Sequence, residues 1–115
     1  MKLPNAAQAY VPPEKTTNYL LDMEHEGGRG KANFFIHFGF SVAKWDELAH
    51  ALIRHATEYE VAKEETTQFG TRYVIEGALQ TPSHRKPQVR VVWFIPKYER
   101  RPRLVTAYPL EEYND

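Results

Sequence analysis

Around residue 60 the spacing of apolar side chains changes from that of a helix to that of strands. Few small folds accommodate the change in that order. Before it, Trp45, Leu48, Ala49, Leu52 and Ala56 recur every three or four positions, which puts them on one stripe of a helix. Ser41, whose hydroxyl can accept from an unpaired amide, is a suitable N-cap for that helix over residues 42–59. Lys44, Glu47, Arg54 and Glu58 fall largely off the stripe. His50 and His55 are five apart, hence on different faces. With no third ligand beside them no zinc site is predicted, and both are expected at the surface or its boundary.

After it, residues 60–68 and 71–80 read as strands separated by the turn signal Phe69-Gly70. Residues 88–95 are apolar on both alternate sets, with Val89, Val91, Trp93 and Ile95 on one and Val92 and Phe94 on the other, so this strand is expected at the centre of a sheet. A last strand follows over residues 103–108. Ahead of the long helix, Pro12-Pro13 favours a helix start, giving a short helix over residues 14–21. Residues 31–38 read as another, with Gly39 where a left-handed cap residue belongs. Residues 3–11 are expected to be extended or irregular. Three helices followed by four strands on short turns predict an α+β domain, with N-terminal helices packed on one face of a four-stranded antiparallel meander. That domain spans residues 1–110, and 111–115 form a flexible acidic tail.

Length and composition suit one folded unit: 115 residues, 42% hydrophobic and 13% aromatic. There are no cysteines, which rules out disulfides, thiolate ligands and a thiol nucleophile. The first residues lack the apolar core of a signal peptide and no apolar run reaches membrane-spanning length, so a cytoplasmic protein that engages no membrane is expected. Net charge is zero but unevenly spread. Residues 80–110 hold 7 Lys and Arg against one acid, Glu99, whereas residues 1–79 hold 8 against 11. A polyanion would dock on the basic segment.

There is no Walker loop, nucleophile elbow or metal-ligand cluster, and no cofactor or metal is expected. Instead the chain offers scattered candidates. Residues 25–40 pack His25, Lys31 and the glycines Gly27, Gly28 and Gly30 ahead of an aromatic helix, a plausible anion site. Arg90 is the one charge inside the strand over residues 89–95 and shares a side with Val92 and Phe94. It must reach an anion or the sheet edge. It could bind a ligand or pair with Glu76 on the preceding strand, for which Arg72 is a rival by parity. Thr106 and Tyr108 read as sharing one side of the last strand with Leu104, with Arg103 on the other. Trp93 and Phe94 could stack on a base, although core packing suits at least one of them.

These residues also carry a resemblance. The stretches are His25-x-x-Gly28-x-x-Lys31-Ala32-x-x-Phe35-x-x-x-Gly39-Phe40, Phe69-Gly70-x-x-Tyr73-x-x-x-Gly77, Val89-Arg90-x-x-Trp93 and Pro102-Arg103-Leu104-Val105-Thr106-x-Tyr108. Across residues 3–110 the chain resembles a family of small uncharacterised bacterial domains. It is similar as well to the C-terminal toxin modules of contact-dependent-inhibition and filamentous-haemagglutinin-type polymorphic toxins. In those modules the position after the Val-Arg pair tends to be threonine, where this chain has Val91. The resemblance implies the fold shared by barnase, EndoU, certain colicins and RelE. It implies metal-independent ribonuclease activity, often on tRNA, as the toxin of a toxin–antitoxin-type pair with a small β-rich antitoxin or immunity protein as partner. Such a reaction needs a base, a cationic phosphate clamp and an acid. His25 would be the base or acid, Lys31 and Arg90 the clamp, and Thr106 and Tyr108 would position the phosphate or donate a proton. Arg72 and Arg103 would hold flanking phosphates, while Gly28 and Gly30 admit the substrate and Trp93 stacks on it. The alternative is a non-catalytic module that binds a small partner protein through its sheet edge or basic hairpin.

Overall fold

The computed structural model describes residues 1–24 and 29–110, with Arg29 described by its backbone alone. A single 3₁₀ turn, Ala6–Gln8, precedes the short helix α1 (Pro13–Lys15), which runs into a π-helical turn, Thr16–Leu20. Helices α2 (Arg29–His37) and α3 (Trp45–Glu58) follow, then strands β1 (Val61–Thr67), β2 (Gly70–Ala78), β3 (Gln88–Pro96) and β4 (Arg103–Pro109). The strands form one sheet in the order β1-β2-β3-β4, with every pairing antiparallel. The helices pack on one of its faces, as the change of period predicts.

The stripe on α3 is the main cause of that packing. Leu48, Leu52 and Ala56 are fully buried and join Ile75, Val89, Val91, Trp93, Leu104 and Ala107 of the sheet in one apolar core. Fully burying one leucine contributes about 2 kcal/mol. An exposed pair such as Arg54–Glu58 at 2.9 Å contributes about 0.5 kcal/mol. The apolar face therefore orients the helix. Helix α2 adds Phe34 and Phe35, and the turn after it adds Phe38 and passes through Gly39, whose φ is 101°. There Phe40 N–H donates to the Phe35 carbonyl at 3.1 Å, five residues back, the paired-turn ending that a glycine permits.

Several local expectations are corrected. α3 begins at Trp45 rather than residue 42, because Ser41 and Val42 are used in a preceding turn: the Ser41 hydroxyl and carbonyl both accept from Lys44 N–H, at 3.3 and 3.2 Å. The helix expected over residues 14–21 is one α turn and one π turn. The Thr16 hydroxyl donates to the Pro13 carbonyl at 2.8 Å, and Leu21 N–H reaches back five residues to the Thr16 carbonyl at 2.8 Å, which widens the turn. Gly30 belongs to α2 and not to a loop, and a Cβ there would meet nothing within 4 Å. Within residues 3–11, Tyr10 forms a parallel bridge to Arg103, with Tyr10 N–H on the Pro102 carbonyl at 3.0 Å and Leu104 N–H on the Tyr10 carbonyl at 3.1 Å. This covers the start of β4's outer edge. The tail at 111–115 lies outside the described residues.

His55 is not at the surface. It is 2% exposed, with Nε2 3.2 Å from the Gly77 carbonyl and no hydrogen-bond partner on Nδ1. It is buried because the Tyr59 ring, tilted against His55 at 5.0 Å between centroids, fills the space that a Cβ on Gly77 would take. Burial pushes the His55 imidazole below its ordinary pKa, against the raising effects of the Gly77 carbonyl and Glu58. The unfolded chain therefore binds the proton more readily, and stability rises with pH in this range. Urea midpoints are expected to hold steady above about pH 7 and to fall as pH drops through and below about 6.5. The variant His55→Leu is expected to flatten that slope; an unchanged slope would rule out His55 as its source.

Candidate functional site

Side chains alternate along each strand, so the register assigns the two faces. Val89, Val91 and Trp93 point into the helix-covered core, which leaves Arg90, Val92 and Phe94 on the other face. Opposite these lie Glu76, Val74 and Arg72 of β2. Across β4 the pairs Arg90↔Tyr108 and Val92↔Thr106 continue the same face, but the next pair is Trp93↔Leu104. Val105 is thus an extra residue, a bulge that resets the parity of the strand. Thr106 and Tyr108 consequently lie on the Arg90 face, while Leu104 is fully buried on the core side. The expectation that Thr106 and Tyr108 share Leu104's side is corrected by that one residue.

On this face Arg90 binds its cross-strand neighbours on both sides. Its Nε donates to Glu76 Oε2 at 2.7 Å, a second guanidinium nitrogen lies 2.6 Å from the same oxygen, and a third donates to the Tyr108 hydroxyl at 3.4 Å. Arg90 and Glu76 are each about one-third exposed, at 37% and 35% of their side chains. Tyr108 and Glu76 hold the guanidinium proton more firmly still. Arg72 is no rival for Glu76: it pairs instead with Glu65 of β1 at 3.3 Å, its cross-strand neighbour in register.

A second cluster gathers one step along β4, about 7 Å from Tyr108 at the rise of a strand. The Tyr19 hydroxyl lies 3.4 Å from the Thr106 hydroxyl. The ammonium groups of Lys31 and Lys15 stand 5.3 and 5.6 Å from the centre of the Tyr19 ring. Burial pushes the Tyr19 phenol up, but the hydrogen bonds from Thr106 and Lys31 and the charges of Lys31 and Lys15 outweigh it, leaving its pKa below the ordinary 10.0. A phenol so placed gives up a proton more readily than usual and can donate to a departing oxyanion. A cavity of about 560 Å³ opens beside it, lined by Glu14, Lys15, Asn18, Tyr19, Val105 and Thr106. Sequence reading missed Tyr19 and Lys15, since Tyr19 reads as the apolar end of a helix and its partner is 87 residues away.

The remaining sequence candidates divide plainly. Lys31 and Thr106 meet at Tyr19, and Arg90 and Tyr108 meet each other. Arg103 is exposed at the start of β4 and lines a separate part of the groove with Tyr10. Trp93 has no exposed surface and belongs to the core, so it faces no substrate. Because β3 is apolar on both sides, parity alone does not reveal which of Trp93 and Phe94 points inward. Val91 is also fully buried on the core side, so a hydroxyl at that position would not reach the Arg90 face. His25 and Gly28 lie outside the described residues, as does any geometry linking them to Arg90. No group of three or more metal-ligating side chains occurs among the described residues.

The architecture is thus an α+β domain with a polar, cationic and phenolic cluster gathered along its last strand. Residues 2–111 match the family DUF6883, a domain of unknown function, and the chain belongs to that family. No curated protein and no solved structure matches it.

Proposed function

We propose that this protein is a metal-independent ribonuclease, acting as the toxin of a toxin–antitoxin-type pair. Its reaction centre is the stretch of β4 from Thr106 to Tyr108, with the side chains that converge there. The observation that carries the reading is the Tyr19 phenol. It is bound to Thr106, flanked by two lysines and set beside a groove, one strand step from a guanidinium that three hydrogen-bonding contacts hold in place. RNA supplies its own nucleophile, so the protein needs only to move protons and hold charge. Glu76 takes the proton of the 2′-hydroxyl, which attacks the adjacent phosphorus. Arg90 and Lys31 stabilise the oxygens of the pentavalent phosphate, and Thr106 and Tyr108 orient it. Tyr19 returns a proton to the 5′-oxygen as the P–O bond breaks, leaving a 2′,3′-cyclic phosphate and a 5′-hydroxyl end. RNA, with tRNA as the first candidate, is the substrate, and the resemblance adds a small β-rich antitoxin as the protein partner in a cytoplasmic setting.

The Arg90–Glu76 pair would serve equally well as a structural tie in a non-catalytic interaction module, so one experiment separates the two readings. Wild type, Lys31→Ala and Arg90→Ala are expressed side by side, with growth and tRNA integrity followed. Wild type is expected to arrest growth and fragment RNA. Loss of a phosphate-stabilising cation is expected to lower cleavage about 10²-fold and restore growth. Equal growth and intact RNA in all three would leave the interaction module standing.

A further inference from the structure

The cavity beside Tyr19 does not end there. A second cavity of about 350 Å³, lined by Tyr10, Pro12, Glu14, Lys15, Arg103, Leu104 and Val105, shares Glu14, Lys15 and Val105 with the first. The two are therefore neighbours along the outer edge of β4, with Glu14, Lys15 and Val105 between them. At the far end Tyr10 is fixed by its bridge to Arg103. The Arg101 guanidinium lies over the Tyr10 ring at 3.9 Å and is itself pinned by donating through Nε to the Gln8 carbonyl at 2.8 Å. A rigid aromatic ring backed by a planar cation thus stands at one end of a groove whose other end is the Tyr19–Thr106 pair. From Arg103 to Thr106 the strand covers about 7 Å, the length of two regular steps, because the bulge at Val105 takes up the third residue.

The geometry points to a subsite for single-stranded nucleic acid along the β4 edge, in which one unpaired base stacks on Tyr10 and the backbone runs past Arg103 and Lys15 toward Thr106. This rests on the ribonuclease reading for the identity of the strand and deepens it by naming the substrate class as unpaired RNA. Stacking on an aromatic ring requires a base that has left its helix, while cations along the groove follow the phosphates without regard to sequence. In a duplex the base faces are occupied by neighbours, and the ring has nothing to stack on. Glu14 lies between the two ends and Asn18 lines the Tyr19 end, where a carboxylate and an amide can meet the polar edge of a second base.

The test uses the full chain and a short 2′-O-methyl oligonucleotide of mixed sequence. The oligonucleotide lacks the nucleophilic hydroxyl, so it reports binding alone. Fluorescence anisotropy at fixed salt compares the single strand with its own duplex for wild type, Tyr10→Phe, Tyr10→Ala and Arg103→Ala. The single strand is expected to bind at least about tenfold more tightly than the duplex. Tyr10→Ala is expected to weaken it about tenfold while Tyr10→Phe retains it, and Arg103→Ala should both weaken binding and reduce its salt dependence. Equal affinity for strand and duplex, or an unchanged affinity in Tyr10→Ala, would overturn the subsite. Binding through Tyr10 with an all-ribose strand left intact would instead retire the ribonuclease reading and keep the groove. Cleavage by wild type with Tyr10→Ala binding normally would do the reverse.

Discussion

Replacing Tyr19 by phenylalanine is expected to lower RNA cleavage about 10²-fold while leaving the thermal midpoint nearly unchanged. The change deletes one oxygen and nothing else. The hydroxyl bonds to Thr106 at 3.4 Å and to Lys31, and bonds of this part-exposed kind each contribute about 1 kcal/mol or less to folding. The ring, with Lys31 and Lys15 over it, keeps its packing. What disappears is the proton donor. Because the Thr106 and Lys31 contacts hold the phenol below its ordinary pKa of 10.0, wild-type activity is expected to fall on the alkaline side as Tyr19 ionises. In the variant the residual activity should lose that limb. The pH profile thus separates proton transfer from a merely structural hydroxyl, which would change stability and leave the profile's shape alone. An unaltered rate and profile in Tyr19→Phe would remove this residue from the chemistry.

Gly70→Ala is expected to cost about 3 kcal/mol. Gly70 opens β2 at φ 148°, where an L side chain is strained, and it is buried between Thr67 of β1 and Pro96 of β3. A Cβ there would overlap the Ile95 carbonyl oxygen and approach Phe94 Cζ and Pro96 Cα to 2.7 and 2.8 Å. Two of these three are backbone atoms and cannot step aside without moving β3. Circular dichroism melts should show a midpoint lower by about 10 °C or more. A shift of only a degree or two would mean that the strand ends slide more freely than their register suggests.

Much of this fold could be read directly from the chain. The α3 stripe and the four strands follow from local periodicity, which depends only on residues a few positions apart. β3 lies between β2 and β4, paired on both sides, as its apolar alternate sets predict. Where one residue upsets the count, the reading failed. The bulge at Val105 moved Thr106 and Tyr108 to the opposite face, and nothing in Arg103-Leu104-Val105-Thr106 announces an extra residue. Thr16 widened a helix into a π turn through a hydroxyl bond to Pro13, and that turn carries Tyr19 to a partner on the last strand. His55 looked like a surface group because its burial depends on Tyr59 folding over Gly77, a contact between distant elements. Arg90, its partner Glu76 and the rival Arg72 were visible, and the register then chose Glu76 for Arg90 and Glu65 for Arg72. Local pattern thus located the platform, whereas the convergence on β4 depended on long-range contacts.

The most direct measurement is product analysis after chelator-treated wild-type protein meets a short single-stranded RNA. The account predicts cleavage in the presence of EDTA, with 2′,3′-cyclic phosphate and 5′-hydroxyl ends, and none on the 2′-O-methyl analogue. Intact RNA, or 5′-phosphate ends that appear only when a divalent metal is restored, would contradict it.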